Sequence, residues 1–342
     1  MKKRTIITAI ILWTIVALAV ITAISYAANG GFNRMANQDT LIKNEEVTLG
    51  QIKSIILDGT SQIVEVRKTN GDQLKISQYG NPKTREENLF LIESSEDSVR
   101  IYFNKHKGFR LYDFDFYSFI QELVIEIPEK YKGNIDFNTS SGSLRTEDEF
   151  TLKNVLLHSS SGSIRIDNNL TADNIHIKTS SGSIHTQGEI NLTENMKAES
   201  SSGAISLYKV HAKGLQGETS SGGIRLDDID VESYDLQSSS GAIKINAISG
   251  SGEMKTASGG IQAFLKNPKD DIRLTSSSGS VRVEVEPSLQ FTFEARTNSA
   301  SIHTDFAVEK NERGNKAIAT VGKNPTVHIK IDTTSGSIRV EQ

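Results

Sequence analysis

The chain has 342 residues, 36% of them apolar, with 38 basic and 42 acidic side chains and a formal net charge of −4. It contains no cysteine, which excludes disulfides, thiolate metal sites and cysteine nucleophiles in any compartment. Lys2, Lys3 and Arg4 hold three of the positive charges, so the remainder carries −7, which argues against a general electrostatic grip on nucleic acid, anionic lipid or teichoic acid.

Those three basic residues precede an uncharged stretch from Ile6 to Ala28, mostly Ile, Leu, Val and Ala. A bilayer core takes about 20 helical residues, whereas the apolar region of a cleavable signal spans roughly 7 to 15. The 23 residues here favour a retained transmembrane helix as the anchor to the cell membrane. The rival reading is cleavage, since Ser25-Tyr26-Ala27 before Ala28 satisfies the small-x-small rule. Positive-inside bias places residues 1–28 as cytoplasmic flank and single-pass anchor, with everything after them extracytoplasmic. Residues 29–44 are polar and pattern-poor, and read as a linker.

Residues 45–136 alternate like half-buried strands, as in Ser54 to Leu57, Ile63 to Arg67, Gln73 to Ser77, Ser98 to Phe103 and Leu123 to Ile127. They predict an irregular β cap with the first coils of a larger stack. Within them lies an aromatic run: Phe109, Tyr112, Phe114, Phe116, Tyr117 and Phe119. Its bland reading is a plug for the apolar end of the core, and its functional reading is a partner-docking or sugar-stacking loop.

From residue 137 to 342 the chain is a repeat. Corner glycines occur at Gly142, Gly162, Gly182, Gly203, Gly222, Gly241, Gly259 and Gly279, with Ala300 standing in once and Gly336 last. Successive spacings are 20, 20, 21, 19, 19, 18, 20, 21 and 36. The residue before each corner is serine, and three before it stands Ser or Thr. Two after it stands a branched aliphatic: Leu144, Ile164, Ile184, Ile205, Ile224, Ile243, Ile261, Val281, Ile302 and Ile338. Such columns arise when coils stack about 4.8 Å apart, with equivalent residues above one another. The expected fold is all-β: a single-stranded parallel β-helix, a β-solenoid of about ten coils of roughly 20 residues, right-handed by default. The aliphatic column is its buried ladder, and each corner glycine is expected to supply a positive φ. The insertion near 305–324 reads as a protruding loop.

The helix, the lead-in Ile127-Pro128-Glu129-Lys130-Tyr131-Lys132-Gly133 and the Ser-Ser-Gly-Ser-Ile units together resemble a bacterial β-strand-repeat family of unknown function, the "putative adhesin" proteins. Membrane-anchored LiaG-type proteins of envelope-stress operons are among its members. The resemblance covers about residues 45 to 342. It implies a parallel β-helix at the cell envelope, and it carries no catalytic residues to transfer.

The outward columns offer little chemistry. Three after the corner stand Arg145, Arg165, His185, Ser206, Arg225, Lys244, Gln262, Arg282, His303 and Arg339, but acids crowd the column five after it, including Glu147, Asp167, Asp227 and Glu341. Bases beside acids predict a self-compensated face. Asp227, Asp228 and Asp230, and Asp270 with Asp271, read as solvated turn carboxylates, because neighbours in a strand point to opposite faces. The seven histidines lack metal-ligand spacing, the serines lack a fixed His and acid, and no phosphate loop occurs. No cofactor or metal is expected. The reading is a non-catalytic extracytoplasmic envelope protein, an adhesin-like scaffold or interaction module for an unidentified envelope protein or glycan, with a place in envelope stress suggested by the resemblance. The alternative is a β-helix enzyme acting on envelope or extracellular polysaccharide, which rests on fold analogy.

Overall fold

The computed structural model describes residues 40–104 and 121–342. The apolar segment from Ile6 to Ala28, most of the linker, and the aromatic run Phe109, Tyr112, Phe114, Phe116, Tyr117 and Phe119 lie outside them. No helix among the described residues is long and apolar enough to cross a membrane. The fold is all-β, with one single-turn 3-10 segment at Glu86–Asn88.

Alternation sets the inside and outside of each strand. In Ile164–Ile166 the two isoleucines are buried around an exposed Arg165, and in Asn174–Thr179 the buried positions are Ile175, Ile177 and Thr179. A strand with one apolar face buries it only by stacking, and the stack runs through parallel, in-register pairs. Ile164 lies between Leu144 and Ile184, and Ile175 between Val155 and Met196. A short third side, with Phe150, Leu170 and Ile190 in register, closes the cross-section of the early coils. Farther along, Ile205–Thr219 and Ile224–Ser238 run unbroken through that corner, turned by Lys209 at φ 45° and Asp228 at φ 55°.

All ten aliphatic column residues are buried. Burying each one from water contributes about 1.5–3 kcal/mol before chain entropy is counted. The ladder has two more rungs, because Val64 pairs with Leu144 on one side and Leu123 on the other. In those coils Gln62 and Gln121 take the place of the corner glycine, and both are buried. Thr60 donates its N–H to Gln62 Oε1 at 2.9 Å, and Gln78 donates Nε2–H to Gln121 Oε1 at 2.9 Å.

The order of coils in space departs from the order in sequence at both ends. Ser54–Asp58 lies between Ser98–Tyr102 and Asn134–Thr139, so the first coil of the chain is the second of the stack. At the other end Val327–Thr333 lies between Ile272–Ser276 and Phe291–Thr297, and Ile338–Glu341 lies between Val281–Val285 and Ile302–Thr304. The coil of Gly336 is therefore not last. The Ala300 coil is, and the one alanine of the column sits where no further coil stacks on it.

The corner glycines also work differently from expectation. None of them has a positive φ. Their requirement is close approach between coils: a Cβ on Gly222 would overlap the carbonyl oxygen of Gly203, and the same collision repeats from Gly162 through Gly336. The Ser or Thr three before each corner locks that approach. Thr219 Oγ1 donates to the Gly203 carbonyl at 3.1 Å and accepts the Gly222 N–H at 3.1 Å. Ser159, Thr179, Ser200, Ser238, Thr256 and Ser276 make the same pair of bonds. The serine just before each corner is exposed instead.

Both ends are closed by antiparallel strands, which cover backbone groups that an open solenoid would offer to other chains. Gln73–Tyr79 runs antiparallel to Glu122–Pro128, and Leu41–Thr48 runs antiparallel to it. At the far end Lys316–Val321 lies antiparallel on Phe291–Thr297, with Glu309–Lys310 beside it. The insertion is thus a capping hairpin, not a protruding loop, because Ala317 is buried against the last coil and Ala319 and Val321 pack on the core. The aromatic lid there is Phe306, edge-on to Phe291 at 5.4 Å and to Phe293 at 5.5 Å.

Candidate binding groove

Toward its two ends the outward face between the first and third sides is occupied by its own ion pairs. Arg145 reaches Glu147 at 3.0 Å and Asp167 at 2.5 Å, Arg165 reaches Asp167 at 3.3 Å, and Arg67 reaches Glu147 at 2.9 Å. Burial by itself would raise the Asp167 carboxyl, but hydrogen bonds and charge from Arg145 and Arg165 outweigh it and hold the group below its ordinary value. Near the other end Glu341 accepts from Arg282 at 2.8 Å and from Arg339 at 2.5 Å. Such exposed pairs contribute well under about 1 kcal/mol each to stability. Their effect on recognition is larger, since a paired guanidinium has fewer donors left for a ligand.

The pattern breaks between the coils of Gly182 and Gly203. His185 pairs with Ser206 and Ile190 with Val210, so residues 186–189 on one coil face only 207–209 on the next. The shorter corner cannot follow the longer one, and the surface steps inward. Tyr208 marks the step, and its N–H donates to Thr186 Oγ1 at 2.9 Å. Ser206 adds to the opening by placing a small side chain between His185 and Arg225 in the basic column.

The result is an open groove of about 470 Å³ lined by His185, Thr186, Gln187, Ser206, Leu207, Tyr208, Arg225 and Asp227. Tyr208 is 38% exposed, one of the few large apolar side chains on the described surface. Lys209 Nζ stands 5.4 Å from the centre of its ring. Arg225 and Asp227 have the same two-residue separation as Arg145 and Glu147, or Arg165 and Asp167, yet neither side chain forms an ion pair or hydrogen bond among the described residues. An aromatic ring, an amide, an imidazole, a free guanidinium and a free carboxylate thus converge on one open surface.

Other candidates separate. Asp227 lines the groove, Asp228 sits on the exposed left-handed corner, and Asp230 lies 3.7 Å from His211. Asp270 and Asp271 form a turn in which the Asp271 N–H bonds to Asp270 Oδ1. His176 bonds Glu199 at 2.7 Å and His328 meets Thr292 at 2.8 Å. No cluster of three metal-ligating side chains occurs among the described residues. The groove residues stand in columns that are visible in the sequence. Their signal is the pair Gln187 and Tyr208, which breaks the acidic column where the corner spacing falls from 21 to 19.

These features define a class: an all-β solenoid of stacked coils, capped at both ends, with a polar and aromatic groove on one face. The chain belongs to the Toastrack DUF4097 family, which it matches over residues 52–194 and again over 187–341. The two matches meet at residues 187–194, beside the step that opens the groove. Among solved structures it is similar to a "putative cell adhesion protein" from Clostridium sporogenes ATCC 15579, at 11% identity over 89% of this chain and 100% of that one, with a TM-score of 0.27. It is also similar to a "putative adhesin" from Bacteroides fragilis NCTC 9343, at 11% identity over 88% and 97% with a TM-score of 0.36. A "putative adhesin" from Parabacteroides distasonis ATCC 8503 shows 11% identity over 88% and 97%, with a TM-score of 0.45. No curated protein matches the chain.

Proposed function

We propose that this protein is a non-catalytic, adhesin-like binding module of the cell envelope, held to the membrane by residues 6–28 and presenting its solenoid outside, and that it binds glycan in the groove around Tyr208. The carrying observation is a gap between the self-paired stretches of the outward face: the groove gathers a partly exposed aromatic ring with Gln187, His185, Arg225 and Asp227, of which the last two have no partner side chain among the described residues. Aromatic rings stack on the apolar faces of sugars, and planar polar side chains bond their hydroxyls. The polysaccharide-enzyme reading has less support. Glycosidases work with two carboxyls flanking one bond, and Asp227 is the single carboxylate lining this groove.

Ser206→Arg tests the site without touching the core, since arginine is the ordinary residue of that column and the position is outward. The full chain should retain its fold and lose retention on immobilised envelope polysaccharide, and Tyr208→Ala should do the same. Unchanged retention of both variants would exclude the groove. Release of new reducing ends by the wild-type chain, abolished by Asp227→Asn, would favour the enzyme. An N-terminal tag sheltered from protease on intact cells, with a C-terminal tag removed, would support the anchored topology.

A further inference from the structure

Resting on that reading of the groove, we infer that its ligand is a carboxylated glycan, a polymer of uronic-type pyranoses lying along the solenoid axis with a carboxylate on Arg225. The chain as a whole is acidic, so the attraction has to be local, and the structure shows where. Arg145, Arg165, Arg282 and Arg339 of the same column each have a carboxylate of the protein as partner. Among the described residues Arg225 has none, although Asp227 is two residues away. Lys244, its register partner in the next coil, also has none among the described residues.

The groove lining holds two cationic or protonatable groups, His185 and Arg225, and one carboxylate, Asp227; Lys209 stands against the Tyr208 ring, Lys244 follows Arg225 in register, and Asp228 sits on the adjoining corner. A guanidinium offers two parallel N–H donors that match a carboxylate edge to edge, and its planar fork loses little freedom on binding. The ring of Tyr208 decides what carries the negative charge. A pyranose has an apolar face that stacks on such a ring, whereas a polyol-phosphate chain has none, so charge and stacking surface together select a carboxylated sugar. Direction follows from the columns: His185, Ser206, Arg225 and Lys244 succeed one another at the strand spacing of about 4.8 Å. A linear polymer laid parallel to the axis meets them in turn, with Ser206 leaving room for a ring over the step.

The test is titration of the full-length chain, by calorimetry, with three probes of matched length: a polyuronate oligomer, the same oligomer with its carboxyls reduced to alcohols, and a glycerol-phosphate oligomer. The polyuronate should bind most tightly and weaken with added salt. Arg225→Gln should reduce that affinity about tenfold or more, as loss of a charged hydrogen bond does, and weaken the reduced oligomer, which loses only a neutral contact there, much less. Asp227→Asn should tighten polyuronate binding. Arg225 is exposed and has no partner among the described residues, so circular dichroism should show both variants folded. Equal binding of the polyuronate and its reduced form, with no effect of Arg225→Gln, would overturn the carboxylate assignment and leave the glycan groove standing. Preference for glycerol phosphate would overturn it too. No binding of any probe, with Tyr208→Ala indistinguishable from wild type, would sink both.

Discussion

Thr297 Oγ1 donates a hydrogen bond of 3.0 Å to the carbonyl oxygen of Gly336, a residue 39 positions later in the chain. From Ser159 to Ser276 the corresponding hydroxyl reaches back to the coil before it in sequence, as Ser276 does to Gly259 at 3.0 Å. Here the coil underneath is the one made last. Thr333 in turn reaches Gly279 at 3.4 Å, so the C-terminal coil is inserted between two that are already consecutive in sequence.

An inserted coil makes the C-terminus a keystone. In a sequentially stacked solenoid, removing the last coil exposes one rung and leaves the rest paired. Deleting residues 327–342 here should also strip Phe291–Thr297 and Ile302–Thr304 of their parallel partner. Hydrogen exchange should show protection lost back to about Val285, and Ile338→Asp should have a similar effect by burying an unpaired charge. Protection of Phe291–Thr297 persisting in the truncated chain would contradict the inserted order.

Close approach at the corners predicts a steep cost for one methyl group. Gly222→Ala should destabilise the protein by about 3 kcal/mol or more, because the new carbon meets backbone of the Gly203 coil on a rung that cannot move alone. Gly71→Ala, in an exposed turn where a Cβ meets only Thr69 Oγ1 at 3.4 Å, should change stability by less than about 0.5 kcal/mol. Chemical denaturation of the two variants separates this account from one based on φ, since neither glycine has a positive φ.

The hydroxyl relay can be cut without changing shape. Thr219→Val keeps the volume but leaves the Gly222 N–H and the Gly203 carbonyl without their bonds to Oγ1, which should cost about 1–3 kcal/mol. Ser221→Ala removes an exposed hydroxyl next to the same corner and should be nearly neutral. Equal losses, measured by urea unfolding, would show that the buried column has no special weight.

Glu122 gives a pH signature. Burial raises its carboxyl above the ordinary 4.5, and the charge of Glu65 beside it raises it further. The folded state therefore favours the proton. The stability gained from this is fully present below the ordinary carboxylate value and is lost as the pH rises through the raised folded value. Glu122→Gln should accordingly raise the melting temperature at pH 7 and give little gain at pH 4 or below. Glu199 has the opposite sign: burial opposes its ionisation, but bonds from His176 and Lys197 prevail and hold it low. Its contribution is present above the ordinary value and disappears on acidification through the lower folded value. Glu199→Gln should narrow the stability difference between pH 7 and acid, which thermal melts across pH will show.

The cross-section of this protein is written in its sequence. Two-residue alternation decides which side of each strand is buried, and a period near 20 brings Leu144, Ile164 and their successors into one column, so the stacked all-β fold, the ladder and the compensated face are legible before any coordinates. Those are properties of one coil and its nearest copy. Three things belong to the tertiary structure alone. Coil order at the ends is one: Val281, Ile302 and Ile338 offer equivalent aliphatic rungs, and only the cap geometry and the reach of residues 305–326 select which stacks on which. The reason for glycine at the corner is another, because the forbidden contact lies between coils and not within the local backbone. The groove is the third, since Tyr208, Ser206 and Arg225 converge only when a shorter corner is stacked on a longer one and the surface has to step inward.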